Sequence, residues 1–313
     1  MEKSAARSNK QSFIRHVWKY KALYSMLIVP VVYFIIFKYL PMFGNILAFR
    51  RYRPFMGPWG TEWVGFQYFQ MAFEDARFWR AFRNTFITSF WNIVVNFPLP
   101  IFFAIILNEA RIKWLKKIVQ TVSYMPRFIS TVVVIAMLGE LLSPSSGLLN
   151  RFLVSTFGIE PIYFVNLPQW FRPIYVFTDS WQFTGWTAII YLAAITNINS
   201  DLFEAAEIDG ASRIQKIIHV TIPSIMPTIM IMFILQIGRM LSLGFEKVLL
   251  LYTPNNSQVS DILDTLVYRT GLGGGAPNYS YATAMGLFSG IVGLILVSSA
   301  NFTSRKLTGE SIY

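Results

Sequence analysis

Two stretches of this chain, 86–107 and 281–302, run for 22 residues each without a charged side chain. A helix of about 20 mostly apolar residues crosses the hydrocarbon core of a membrane while satisfying its own backbone hydrogen bonds. Three further stretches carry one charged residue each, namely 22–40, 174–195 and 220–243. A sixth, weaker candidate, 128–142, contains Glu140. The sequence therefore predicts an all-α integral membrane protein with about six transmembrane helices.

The composition favours a membrane protein over other classes. Charged residues make up 14% of the chain, whereas soluble domains carry about 25%. The net charge of +11 would suit a nucleic-acid-binding protein, but the cations lie between the apolar runs, as they do beside membrane spans. We therefore expect contact with membrane lipid and none with nucleic acid. Cysteine is absent and the two histidines, His16 and His219, are far apart in sequence, so no disulfide or metal site is predicted.

The distribution of lysine and arginine predicts the orientation. These residues are more frequent in the cytoplasmic segments of membrane proteins. With both termini inside, the inner segments hold 14 of them and the outer segments 10, with Lys247 among the ten. We therefore predict a cytoplasmic segment at 1–21, a transmembrane domain at 22–303 with a cytoplasmic loop at 197–221, and a cytoplasmic tail at 304–313.

No stretch of the sequence fits a nucleotide-binding motif in its context. A P-loop requires Gly-Lys followed by Ser or Thr, and the chain contains no Gly-Lys dipeptide. The stretch "GLGGGA", residues 271–276, matches a dinucleotide-binding pattern in spacing alone, since it neither follows a strand nor opens a helix. If ATP drives this protein, another subunit must hydrolyse it.

The second predicted inner loop contains a polar stretch, "SDLFEAAEIDGASRIQKIIHVTIPSIMP", residues 200–227. Asp201 in an N-cap position, with Glu204 three residues later, predicts a two-turn helix over 202–209. Gly210 suits the left-handed residue that ends such a helix, and a basic amphipathic helix should follow. A two-turn helix is marginal alone in water, so we expect it to pack against a cytoplasmic partner.

This stretch resembles the EAA loop of the permeases of ABC importers, in which Glu-Ala-Ala precedes Asp-Gly-Ala, an apolar residue and a later proline. The matching positions are Glu204, Ala205, Ala206, Asp209, Gly210, Ala211, Val220, Ile222 and Pro223. Ile217 stands where a phenylalanine is frequent. The stretches "YMPRFISTVVV", "LSPSSGLLN", "WFRPIYVFTDSWQFTGW" and "GFEKVLLLYTP" are similar to the oligosaccharide branch of these permeases, the LplB type related to maltose-system permeases.

The resemblance implies the type I importer permease fold and a place in a prokaryotic cell membrane. It implies that the chain forms half of a translocation path for an oligosaccharide and performs no chemistry itself. The implied partners are a second, homologous permease in a heterodimer, two cytoplasmic ATPase subunits and an extracellular solute-binding protein. No cofactor is expected in this chain, because ATP and Mg²⁺ act in the ATPase. The EAA helix would sit in a cleft of that ATPase, so the expected coupling residues are Glu204, Ala205, Ala206, Asp209, Gly210 and Ala211.

Polar groups at membrane depth are candidates for the substrate path, because they are costly there. Asp179 should face the bundle interior, since a lone carboxylate facing lipid costs about 2.5–3.5 kcal/mol. It shares a helix face with Gln182 and Trp186 at i, i+3 and i+7 spacing, and we expect one of these two to contact the sugar. Packing between helices is the alternative for every one of these residues. The same mixture of aromatic and amide groups recurs in the second span at Trp91, Asn92 and Asn96.

Small residues recur at every fourth position of the last span, at Ala282, Gly286 and Gly290. This spacing places them on one helix face and permits close approach of another helix, within the chain or in a partner. We interpret them as packing residues.

Two other classes of protein remain open for a chain with several spans. An ion-coupled secondary transporter would carry inverted repeats, broken helices and paired carboxylates in the membrane. The sequence has no convincing repeat and its acids are scattered, but this class is the main alternative. A membrane enzyme would need a catalytic cluster, and the sequence contains none that we recognise.

Overall fold

The computed structural model describes residues 18–57, 62–273 and 275–308. Within these ranges the chain is mainly helical and contains no β-strand beyond an isolated bridge between Arg50 and Trp63. The prediction of an all-α membrane protein is confirmed. Most of the predicted N-terminal segment 1–21 and the end of the predicted tail 304–313 lie outside the described residues.

The helices are labelled α1 to α16 in chain order. The first half of the chain forms α1 (Lys21–Phe34), α2 (Leu40–Met42), α3 (Gln67–Glu74), α4 (Ala76–Asn96), α5 (Pro98–Glu109), α6 (Lys113–Tyr124), α7 (Thr131–Leu141) and α8 (Leu148–Phe157). The second half forms α9 (Pro168–Thr196), α10 (Ser200–Ile208), α11 (Arg213–Lys216), α12 (Ile222–Gly238), α13 (Phe245–Leu251), α14 (Ser257–Ser260), α15 (Leu263–Gly271) and α16 (Tyr279–Thr308). Single turns of π-helix lie at Ile35–Tyr39 and Ile217–Thr221.

Prolines set several helix boundaries. Pro98 begins α5 and Pro168 begins α9, positions at which the missing N–H of proline would have no partner in the helix anyway. Pro126 lies in the turn that ends α6, and Ser130 caps α7 by accepting a hydrogen bond from the Val133 N–H. The two helices on either side of this turn, α6 and α7, are bent by 103° relative to each other.

Among the described residues, four helical segments are long and apolar enough to cross a membrane: Lys21–Phe49, Ala76–Glu109, Arg213–Gly238 and Tyr279–Lys306. The bent pair of α6 and α7 is a fifth candidate and contains most of the weakest predicted span, 128–142. α9 is more polar, but its 29 residues extend for about 44 Å, which is long enough to span a bilayer. The count of six spans and the cytoplasmic location of both termini stay predictions.

The apolar faces of these segments lie on the surface of the chain. None of the apolar window in Lys21–Phe49 is buried, and only 17–22% of the windows in the other three segments is buried. Apolar surface of this extent requires lipid or another membrane-embedded chain to cover it.

α9 is the centre of the helix bundle and packs against α4, α5, α6 and α12. Its contact with α6 is very close, because a Cβ atom at Gly185 would lie 2.2 Å from the Ser123 carbonyl oxygen. Only glycine allows the two backbones to approach this far. Phe171 and Tyr175 pack in one buried apolar cluster and Tyr191 in another. The polar side chains of α9 are therefore held at fixed positions between its neighbours.

Candidate functional site

A cavity of about 410 Å³ lies between α4, α9, α12 and α13. Binding sites for small molecules commonly enclose about 300–1,000 Å³. A polar cavity inside an otherwise apolar bundle is the first candidate for such a site. The polar side chains that line it are Ser89, Asn92, Asn96, Thr131, Asp179, Gln182, Thr184, Thr187, Gln236, Arg239, Ser242, Glu246 and Lys247.

Asp179 and Lys247 form an ion pair in the wall of this cavity. The Lys247 Nζ atom lies 2.6 Å from Asp179 Oδ1, and the two side chains are 6% and 15% exposed. Lys247 Nζ also donates to the Tyr175 carbonyl at 2.8 Å and lies 4.1 Å from the centre of the Tyr175 ring. An unpaired buried charge is costly, and the contact between the two opposite charges offsets part of the cost of burying them.

The second oxygen of Asp179 belongs to a chain of amides on α4. Asn92 Nδ2 donates to Asp179 Oδ2 at 2.9 Å, and Asn96 Nδ2 donates to the side-chain oxygen of Asn92. The Ser180 hydroxyl donates to the side-chain oxygen of Asn96. This network links α13, α9 and α4 in turn, and because its members use most of their donors and acceptors on each other it fixes the shape of the cavity.

Gln182 is buried and lines the cavity, and its Nε2 atom donates to the Ile129 carbonyl at 3.0 Å. Trp186, about one turn further along α9, lies outside the cavity with its indole edge-to-face against Phe128. Trp91 also lies outside the cavity, on the exposed side of α4. The structure thus brings four of the six predicted path residues to one cavity, namely Asp179, Gln182, Asn92 and Asn96.

Sequence reasoning missed Lys247 as a residue of this site. The orientation count placed it among the exposed cations of an outer segment, whereas the side chain is buried against α9. A local signal was available. Lys247 lies inside the apolar run "FEKVLLL", residues 245–251, and a short helix of this composition is expected to bury the side chains on its inner face, including a lysine. Asp179 faces the bundle interior, and it is paired rather than alone.

The side chains of Gln236, Arg239 and Glu246 also line the cavity, and they make no hydrogen bond or ion pair within the ranges that the structure describes. Arg239 directly follows the end of α12 and Glu246 lies in the first turn of α13, and both residues are exposed. Their free donors and acceptors are available to a ligand in the cavity.

The predicted cytoplasmic loop forms the two short helices α10 and α11. Asn199 caps α10, and its side-chain oxygen accepts a hydrogen bond from the Asp201 N–H at 3.1 Å. The predicted cap at Asp201 is therefore wrong by two residues. Asn199 has the extended backbone of a capping residue. Asp201 lies inside the first turn, where its negative charge interacts favourably with the positive end of the helix dipole.

Gly210 ends the turn after α10 with a left-handed backbone, at a φ of +74°. The Ala211 N–H donates to the Ala206 carbonyl at 2.9 Å, and the Gly210 N–H donates to the Glu207 carbonyl at 3.0 Å. This pair of hydrogen bonds is the Schellman arrangement, in which a residue with positive φ satisfies the last carbonyls of a helix. The predicted turn at Gly210 is confirmed.

Two further contacts shape the loop. Ser212 and Gln215 form a capping box at the start of α11. Lys216 Nζ lies 2.6 Å from Glu207 Oε1 and, as hydrogen-bond donor and nearby cation, lowers the pKa of Glu207. Exposed ion pairs of this kind contribute little to stability, but this one joins the two short helices.

The outer face of this loop has no packing partner in the described part of the chain. Ile208 is 87% exposed, and Glu204, Ala205, Asp209 and Gly210 are exposed around it. A two-turn helix with an exposed isoleucine is not stable alone in water. That this loop packs against another protein stays a prediction. The two remaining EAA positions, Ala206 and Ala211, are half-buried.

The three small residues of α16 differ in their surroundings. Ala282 is buried, and a Cβ atom at Gly271 would lie 3.0 Å from the Ala282 Cβ. A Cβ atom at Gly286 or Gly290 would meet no other atom within 4 Å. Ala282 therefore packs within the chain, whereas packing at the two glycines stays a prediction that requires a partner.

The chain is similar to known transport proteins over most of its length. Residues 97–309 match the family model described as "Binding-protein-dependent transport system inner membrane component". The polygalacturonan/rhamnogalacturonan transport system permease protein YteP of Bacillus subtilis (strain 168) is 44% identical over 94% of this chain and 90% of the relative. The protein LplB of the same organism is 41% identical over 94% of this chain and 91% of the relative.

Two solved structures have the same fold over 95% of this chain. One is a chain of a bacterial ABC transporter involved in the import of the acidic polysaccharide alginate, with a TM-score of 0.86, 40% identity and 99% of that chain covered. The other is a chain of a bacterial alginate ABC transporter in complex with an alginate pentasaccharide-bound periplasmic protein, with a TM-score of 0.87, 38% identity and 99% coverage.

Proposed function

This chain belongs to the family of binding-protein-dependent transport system inner membrane components, the permeases of ABC importers, and we propose that it forms half of an ATP-driven path for an oligosaccharide. The observation that carries the proposal is the polar cavity between α4, α9, α12 and α13. Of the relatives named above, YteP belongs to a polygalacturonan/rhamnogalacturonan transport system, and the two solved structures are of alginate transporters. Planar amides and charged groups such as those in this cavity are suited to the hydroxyl groups of a sugar.

In the proposed assembly a second, homologous permease forms the other half of the path. Two cytoplasmic ATPase subunits hold ATP and Mg²⁺, and this chain binds neither. An extracellular solute-binding protein delivers the oligosaccharide, and the complex lies in the inner membrane of a bacterial cell. The alginate transporter in complex with a periplasmic protein supports the inclusion of a binding protein. Family membership gives no support to the ion-coupled secondary transporter.

The loop formed by α10 and α11 is proposed to dock on the ATPase. The exposed side chain of Ile208 would enter an apolar recess, and Glu204, Ala205 and Asp209 would surround it. Gly210 and the ion pair between Lys216 and Glu207 would hold the two helices as one body, so that movement of the ATPase is transmitted to α12.

Within the cavity, Gln182 is the predicted path residue most suited to contact the sugar, because its side-chain oxygen has no partner in the described ranges. We expect Gln182→Ala to reduce uptake several-fold while ATP hydrolysis without substrate persists. Trp186→Ala, on the same helix but outside the cavity, is the matched comparison. Equal losses of uptake in the two variants would contradict a path through this cavity.

The proposed function is tested by uptake in cells. A strain from which the gene for this chain is deleted should fail to accumulate a labelled oligosaccharide that the parent strain imports, and the gene on a plasmid should restore uptake. Removal of the ATPase gene should have the same effect as removal of this chain. Uptake that persists without the ATPase would contradict an ATP-driven importer.

A further inference from the structure

The outer ends of α4 and α9, in the predicted orientation, carry a cluster of arginines that the proposed function does not use. The two helices run side by side in the same direction and are joined at two levels. Asn92 bonds to Asp179 at the cavity, and Arg172 Nη2 donates to the Asn84 side-chain oxygen at 3.1 Å nearer to the helix starts. Asn84 precedes Asn92 by eight residues, so the second level lies about 12 Å from the first.

Two arginines of α4, Arg80 and Arg83, precede Asn84 by four residues and by one residue, so both lie near this second level. Arg83 lies close enough to Arg172 for the two cations to act on each other electrostatically. Arg80 lies one helical turn from Arg83, on the same side of α4. Like charges near each other repel, and an anion bound between them would offset the repulsion.

The described residues supply no anion for this cluster. Arg80 and Arg83 are exposed and have neither an ion pair nor a hydrogen bond within the described ranges. The nearby carboxylate of Asp261 is already occupied, since it accepts hydrogen bonds from Arg269 and from the Thr265 hydroxyl. Asn84 instead donates to the backbone carbonyls of Gln258 and Asp261, so its side-chain oxygen is free to orient Arg172.

One donor of the cluster is buried and unsatisfied. The Nε–H group of Arg172 is shielded from solvent and has no hydrogen-bond partner in the described ranges. A guanidinium that keeps donors free beside another cation is suited to a carboxylate, which accepts two parallel hydrogen bonds from such a group.

We propose that Arg80, Arg83 and Arg172 form a binding site for the carboxylates of an acidic oligosaccharide at the entrance of the path. The site would hold one sugar acid about 12 Å from the Asn92–Asp179 level, a separation on the scale of two to three sugar units. This inference rests on the proposed function and adds the chemical class of the substrate. The charges would select uronate-containing saccharides over neutral ones before the cavity is reached.

The test uses the assembled transporter in lipid nanodiscs without the binding protein, titrated by calorimetry with trigalacturonate and with its neutral trimethyl ester. We expect the wild type to bind the acid roughly tenfold more tightly than the ester, and this preference to weaken at high salt. The Arg80→Gln and Arg83→Gln double variant should lose the preference. Both residues are exposed and unpaired, so assembly should be unaffected. Arg151→Gln removes one exposed cation from another segment and should retain the preference.

Arg172→Lys is the second variant, because it keeps the charge and loses the paired donors. It should lower the affinity for the acid and leave the affinity for the ester within twofold. Equal binding of acid and ester by the wild type, or a preference that survives the double variant, would overturn the site. If the double variant instead binds the ligand-free binding protein more weakly, the arginines contact that protein, and the proposal is overturned as well. Failure of the proposed function is a separate result, namely that the wild type imports no oligosaccharide with ATP.

Discussion

Asp179 accepts hydrogen bonds from Lys247 on one oxygen and from Asn92 on the other. Asp179→Asn would leave Lys247 buried without its counter-charge, and we expect the free energy of unfolding to fall by about 3 kcal/mol. Adding Lys247→Met removes both charges and should recover most of this loss. Thermal melting of the purified complex is measured for Asp179→Asn, for Lys247→Met and for the double variant. A double variant whose loss of stability equals the sum of the losses in the two single variants would contradict an ion pair that stabilises the fold.

Asp264, in the first turn of α15, should make the stability of the protein depend on pH. Burial raises the pKa of Asp264 to about 6 from an ordinary value of 3.8. A raised pKa means that the protonated form fits the fold better, so this contribution to stability is complete below about pH 4 and is lost as the pH rises through 6.

Asp264→Asn should therefore raise the melting temperature at pH 8, by an amount that corresponds to about 1–2 kcal/mol after allowance for the partial exposure of the carboxyl group. Near pH 4 the variant and the wild type should melt together. Glu160→Gln, at an exposed carboxyl in another segment, should have no such effect. A stabilisation by Asp264→Asn that is the same at both pH values would contradict this explanation.

The sequence predicted one half of the buried ion pair and not the other. A carboxylate within an apolar run is conspicuous, so Asp179 was identified as a candidate. Lys247 lies 68 residues away and directly beside a predicted outer segment, where lysines are ordinary. Its burial depends on the turn between α12 and α13, which returns the chain to α9, and the apolar run at 245–251 does not identify α9 as the helix that covers it. For the same reason Gln236 was not recognised as part of the cavity.

At the scale of elements, the loop of α10 and α11 is the part that the sequence described best. The positions of Gly210 and of the short helix were predictable, because glycine with positive φ and capping residues act through neighbours in the sequence. The error in the cap, Asn199 rather than Asp201, is of the same local kind, since both residues can accept a hydrogen bond from a free N–H.

Glu204→Lys and Gly210→Val test whether this loop transmits ATPase movement. Glu204→Lys reverses an exposed charge on the proposed contact face of α10, and valine at Gly210 is strained at a φ of +74°. We expect either change to reduce co-purification of the ATPase several-fold, or to leave ATP hydrolysis running without uptake. The amount of the permease in the membrane should stay near that of the wild type.

Gly158→Val is the matched control for Gly210→Val. Gly158 also has a left-handed backbone, with a φ of +64°, and a Cβ atom there would meet no atom within 4 Å. It lies at the end of α8, outside the predicted cytoplasmic loop. In Gly158→Val, oligosaccharide uptake should therefore stay proportional to ATP hydrolysis, as in the wild type. If Gly158→Val and Gly210→Val behave alike, backbone strain rather than the loop explains the defect.

Packing between elements was less accessible to the sequence. The bend of 103° between α6 and α7 made 128–142 the weakest of the predicted spans, because a broken helix does not give a single continuous apolar run. The close approach of Gly185 to Ser123 likewise depends on two helices that are distant in the sequence. The small residues of α16 were noticed for their spacing, but only Ala282 packs inside the chain.

For the whole molecule, the apolar runs predicted the fold class and the EAA resemblance predicted the family, and both are confirmed. The number of spans and their orientation depend on α9, which is polar because it carries the cavity, and on charge counts that differ modestly between the two sides.

A reporter enzyme fused after Tyr313, which lies outside the described residues, tests the orientation. Six spans with both termini inside predict a reporter that is active only in the cytoplasm. A second fusion at Glu160, which lies between the predicted spans 128–142 and 174–195, should be active only outside. A signal from outside at Tyr313 would refute the span count or the orientation, and the fusion at Glu160 would indicate which of the two is wrong.

The most direct test of the central claim is ATP hydrolysis and oligosaccharide uptake measured together in vesicles that contain this chain, the second permease and the ATPase. The loaded binding protein should stimulate hydrolysis and uptake in proportion, and Glu204→Lys should break that proportion. Vesicles without this chain should show neither activity. Uptake that continues without ATP, or without this chain, would contradict an ATP-driven importer in which this permease forms half of the path.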